Sequence, residues 1–104
     1  MSGSVLAVAV MGASLLASGL MVSVLSVLPI AQSVQNAADA AALSAADTVS
    51  GAAAGVPCEV AAQAAAVNGA AVVDCSVDGL VVSVTVGRTA FGFMVRSEAR
   101  AGPP

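Results

Sequence analysis

At 104 residues the chain has room for one domain, and its composition is extreme: 59% hydrophobic, 9% charged, net charge −3, with no His, Lys, Trp or Tyr. Its only cations are Arg88, Arg96 and Arg100, too few to neutralise a run of phosphates, so nucleic acid is excluded as a partner. Without His or Lys the only candidate bases are carboxylates; Asp39, Asp47, Glu59, Asp74, Asp78 and Glu98 show no convincing pairing, and the glycines form no phosphate cradle, so neither an enzyme nor a cofactor is expected.

In chain order, residues 1–38 are uncharged and residues 4–28 form a continuous apolar core. As a helix that core is on the order of 37 Å long, enough to cross a bilayer with some tilt. A cleaved signal peptide is the competing reading. Against it, the run exceeds the usual roughly 7–15 apolar residues and has no basic residue before it. The best small-residue cleavage site, near Ala31, follows Pro29 and Ile30. A retained anchor is therefore expected. Gly12, Gly19, Ser23 and Ser26 form one row of small residues along it, and Ala9, Ala13 and Ala17 another. Such rows let a second helix approach closely in lipid.

Pro29 kinks or ends this helix, and a kink is expected, because Ile30–Ala54 is rich in Ala and reads as a further helix. Gln32, Gln35, Asn36, Asp39 and Asp47 project to one side. Ile30, Val34, Ala41, Ala45 and Val49 project to the other, with Leu43 among the polar residues. Because Ala buries little area, this stretch is expected to be a rod that packs through Ala41 and Ala45 on other helices rather than on its own head. Gly51 and Gly55 close it.

The head follows. Pro57 suits the first position of a short helix over Cys58–Val67, Glu59 favours its positive end, and Asn68-Gly69 stops it. Val60, Ala61, Ala64 and Val67 form its apolar face. Asp78-Gly79 reads as a two-residue hairpin turn that pairs Val77 with Leu80, Cys75 with Val82, Val73 with Val84 and Ala71 with Val86, all on one face. A third strand is expected over Phe91–Arg100.

Cys58 opens the helix and Cys75 faces the side of the hairpin on which that helix must pack. A disulfide between them closes a loop of about 18 residues, worth roughly 3 kcal/mol in the chain-entropy model. A head of about fifty residues needs such a staple. Oxidised sulphurs require the exported side of the membrane, placing the head outside and the N-terminus inside. Zinc is not expected at two Cys without His. The expected fold is α+β: residues 1–54 form a transmembrane helix (about 4–28) continued as a stalk, and residues 55–104 form a head of one short helix on a two- or three-stranded antiparallel meander.

The run Gln35-Asn36-Ala37-Ala38-Asp39-Ala40-Ala41-Ala42-Leu43-Ser44-Ala45-Ala46 after an apolar helix resembles the Q-x-A-A-D-A-A-A-L-A-A stretch of TadE/TadG-like proteins. Pro57-Cys58, Asn68-Gly69-Ala70, Cys75-x-Val77, Val82–Val86 and Ala99-Arg100-Ala101-Gly102-Pro103 are similar to an actinobacterial TadE-like group encoded near secretion genes. The resemblance implies a minor pilin-like component of a Tad (Flp-type) pilus or secretion system. Its partners would be the membrane, other pilin-like subunits, an assembly platform and, in some systems, a prepilin peptidase. Gly3 is the residue at which such processing would occur, although no basic leader precedes it and no Glu follows in the first half of the span. A secreted effector or binding module with a cleaved signal, and a single-span accessory regulator of another membrane complex, are the alternatives.

Overall fold

The computed structural model describes residues 2–104, and the side chains of all of these except residues 23–27. The fold is α+β: helix α1 (Ser2–Val49), helix α2 (Pro57–Val67) and an antiparallel meander of β1 (Ala71–Asp78), β2 (Val81–Ala90) and β3 (Phe93–Ala101) in the order β1-β2-β3. The molecule measures 76 × 29 × 18 Å. A helix of 48 residues is about 72 Å long, so α1 alone sets the long axis.

Pro29 lies inside α1 without ending it. Strong helix formers on its C-terminal side outweigh the one hydrogen bond it removes. The helix stops at Val49 rather than Ala54, because Gly51 turns to φ 86° and its N–H donates to the carbonyl of Thr48 (3.2 Å). The Ala53 N–H then donates to the carbonyl of Asp47 (3.1 Å), leaving Ala52–Ala54 outside the helix.

The second half of α1 is not a free rod. Val34, Ala37, Ala38, Ala41, Ala42 and Ala45 are buried in one core with Ala61, Ala65, Ala70, Val82, Val84 and Val86. The face projected from sequence is the buried one, and Leu43 is exposed, but the helix packs on its own α2, β2 and β3. Alanine permits this because its short side chain lets a sheet approach the helix axis closely, and the Val82–Val84–Val86 row fills the space between. The head thus begins near Ile30, the first half-buried position among the described side chains of α1, and not at Gly55.

In α2 the buried positions are Ala61 and Ala65, whereas Val67, expected on the apolar face, is 87% exposed. It is the last residue of α2, next to the Asn68-Gly69 turn that reverses the chain. Gly69, at φ 76°, donates its N–H to the Ala66 carbonyl, and Ala70 donates to Ala65, a Schellman cap whose apolar contact is Ala65 with Ala70.

The first hairpin pairs Asp78 with Val81, Val77 with Val82 and Cys75 with Val84, two residues out of the expected register. The cause is the turn type. Gly79 takes φ 61° and Leu80 does not follow it into positive φ, so Gly79-Leu80 is a II′ turn with Gly first, not an I′ turn centred on Asp-Gly. A slip of two preserves the faces, and Val82, Val84 and Val86 are buried as expected. A bulge between Val72 and Asp74 then turns Val72 toward the core in place of Val73 and pairs it with Val86. Ala71 therefore lies opposite Gly87. β3 starts at Phe93, because Phe91-Gly92 is itself a turn.

Asp39 and Ala42 share a groove with Ala99–Ala101, while Ala46, Asp47 and Ser50 share one with Arg100–Pro103 and Leu80. β3 therefore runs in the same direction as α1. The Gly79-Leu80 turn lies beside the C-terminal end of α1, and the Phe91-Gly92 turn lies at the opposite end of the head.

Candidate functional site

Residues 2–22 form a helix with mean hydropathy 2.3, none of it buried, long and apolar enough to cross a membrane. Val5, Leu6, Val8, Val10, Leu15, Leu16, Leu20 and Met21 are each 58–74% exposed. At 100° per residue these positions surround the helix. Withdrawing these eight side chains from water is worth on the order of 12–24 kcal/mol, since each large apolar side chain contributes about 1.5–3 kcal/mol. Ser14 is already satisfied without water: its hydroxyl donates to the Val10 carbonyl (2.9 Å).

Of the small residues picked out from sequence, Ala9, Gly12, Ala13, Ala17 and Gly19 are all exposed on this helix. A Cβ added at Gly12 or Gly19 meets nothing within 4 Å, so there is room for a second helix. The side chains of Ser23 and Ser26 lie outside the described residues. Ala41 and Ala45 do not belong to this surface. Both are 0% exposed inside the head, so they serve helix packing within the molecule and cannot touch another subunit. Gly3 sits exposed in the first turn of α1.

The second feature is the staple. Cys58 and Cys75 are disulfide-bonded, with Cα atoms 6.0 Å apart, and join the first turn of α2 to the middle of β1. The packing that brings them together is that of α2 on α1 and β1. Among the described residues no group of three or more Cys, Asp or Glu side chains gathers to hold a metal ion. An open groove of about 530 Å³ between the end of α1 and the end of β3 brings Asp47 and Arg100 to one shallow surface. Arg100 is already engaged across the sheet, its Nε donating to the Ser83 hydroxyl (3.1 Å).

The chain matches no protein-family model, no curated protein and no solved structure. What it offers for function is thus its own geometry: a bare apolar helix, a small stapled head, and one feature the sequence reading passed over. That feature is the β2–β3 turn, where Phe91 and Phe93 are 72% and 75% exposed. A Phe-Gly pair between two alternating runs was the available signal. It was hidden because Phe ordinarily reads as strand rather than turn.

Proposed function

We propose that this chain is a membrane-anchored, pilin-like structural subunit of a Tad/Flp-type pilus or secretion system, with its N-terminus in the cytoplasm and its head outside. The observation that carries the reading is the division of a single unbroken helix: residues 2–22 are apolar and exposed on all sides, and the part after Pro29 is the spine of an α+β head. A subunit that assembles laterally needs this arrangement, because the exposed half is left for lipid and for neighbouring helices while the head folds without them. The Gly12/Gly19 and Ala9/Ala13/Ala17 rows are the contact surfaces for other pilin-like subunits and the assembly platform. The disulfide supports an exported head, since such bonds persist on the oxidising side of a membrane. The resemblance of residues 35–46 to TadE/TadG-like sequences supplies the system. If a prepilin peptidase acts on the chain, Gly3 is its point of action. The role is one of packing rather than catalysis.

The test is a photo-crosslinking residue at Ala13 or Gly12, activated in intact membranes. Adducts to a second copy or to another membrane protein of the pilus system are expected. Recovery of monomer alone contradicts lateral assembly.

A further inference from the structure

Phe91 and Phe93 are the only aromatic residues of the chain, and with Met94, 52% exposed, they form a bare apolar tip on the β2–β3 hairpin. Phe91 is also the one non-glycine with positive φ among the described residues, at 53°, followed by Gly92 at 78°. These angles make an I′ turn, whose first central position ordinarily holds Asn, Asp or Gly. A Phe held there is strained, and the strain sets an apolar ring at the apex of the turn.

The register places this tip along α1. Ala99 lies beside Asp39 and Ala42, and Phe93 is six strand positions nearer the N-terminal end, about 20 Å lower. Along a helix, about 20 Å is roughly 13 residues, which leads from Ala42 to about Pro29. Burial of α1 by the head also begins there, at Ile30, with Leu28 and Pro29 exposed. The tip is therefore level with the end of the apolar span. Two of the three cations stand just behind it: Arg88, opposite Val95, and Arg96, opposite Gly87, are both exposed, on the third and fourth rungs above the turn. An apolar tip with arginines several ångströms behind it matches the boundary between acyl chains and anionic headgroups. A protein partner fits less well, because a convex tip of two Phe and one Met offers about half of the roughly 800 Å² per side that a stable interface buries.

We propose that the Phe91–Phe93 turn is a second membrane contact, seated in the headgroup–acyl boundary of the bilayer that α1 crosses, with Arg88 and Arg96 on anionic lipid phosphates. The hairpin and the helix then hold the head at two points and fix its tilt. The inference rests on the membrane reading of α1.

The chain has no Trp, so single Trp substitutions report cleanly. Full-length Phe91→Trp, Phe93→Trp, Leu16→Trp and Leu80→Trp proteins are reconstituted in vesicles of phosphatidylglycerol and phosphatidylcholine, then quenched by aqueous iodide, or by lipids brominated near the headgroup for positions 80, 91 and 93 and near the acyl-chain end for position 16. Trp at 91 and 93 should resist iodide at least threefold better than Trp at 80, at the far end of the head, and should be quenched by the brominated lipid. Replacing Phe91 with Asn restores a favoured Asn-Gly turn, so Phe91→Asn combined with Phe93→Trp should lose at least half of the lipid quenching without loss of fold. Lipid quenching at 16 together with iodide access at 91 and 93 equal to that at 80 overturns the proposal and leaves the anchor standing. Absence of lipid quenching at 16 as well overturns both. Protection from iodide at 91 and 93 without lipid quenching assigns the tip to a protein contact and rejects the lipid.

Discussion

The two halves of α1 share one backbone conformation and differ in what surrounds them. Residues 2–22 are studded with Leu, Val and Met on every side and none of them is buried; after Pro29, Ala and Val on one face disappear under α2 and the sheet while Gln32, Asn36, Asp39 and Leu43 stay outside. On the outer face, Gln32 donates to Asn36 (3.0 Å) and Gln35 to Asp39 (3.1 Å), one turn apart. A helix apolar all round needs an apolar solvent, whereas one with a single apolar face needs one partner. The lesson is that an alanine face does not identify its partner. Small side chains admit a second helix or a sheet equally well, and here the partner is the chain's own sheet.

Substitutions that act on one half only test this contrast. Leu16→Arg puts a charge in the span and should raise the free energy of insertion by about 3 kcal/mol, read as loss of protein from the carbonate-resistant membrane fraction. Leu43→Arg, on the exposed face of the second half, should leave that fraction unchanged. The double replacement Cys58→Ala, Cys75→Ala should destabilise the head by roughly 3 kcal/mol, seen as faster hydrogen exchange at Val82–Val86, with membrane retention unaltered. Ala41→Leu forces three carbons into a closed core and should cost about 2 kcal/mol by the same exchange measurement, while Ala13→Leu should cost the head nothing. Val67→Ser, at a position 87% exposed, should change stability by less than about 0.5 kcal/mol. A loss near 2 kcal/mol there would return Val67 to the core.

Much of this was legible in the sequence, and the misses share a cause. An N-terminal helix long and apolar enough to cross a membrane, the polar and apolar sides of residues 30–49, the Cys58–Cys75 pair and the alternation of β2 follow from local composition and period. The hairpin register missed because Asp-Gly and Gly-Leu both make favoured turns, and only the flanking strands choose between them. The bulge at Val73 and the exposure of Val67 depend on how the ends of elements meet their neighbours. The packing of Ala41 and Ala45 within the molecule depended on a sheet too distant in sequence for helical periodicity to reveal.

The most direct test of a helix shared between two solvents is the intact mass of the protein extracted from its own membranes, alkylated before and after reduction. Retention of residues 4–28, no alkylation without reductant and two adducts after it are predicted. A water-soluble species beginning beyond Pro29, or one that takes up alkylating agent without reduction, would contradict the anchor or the staple.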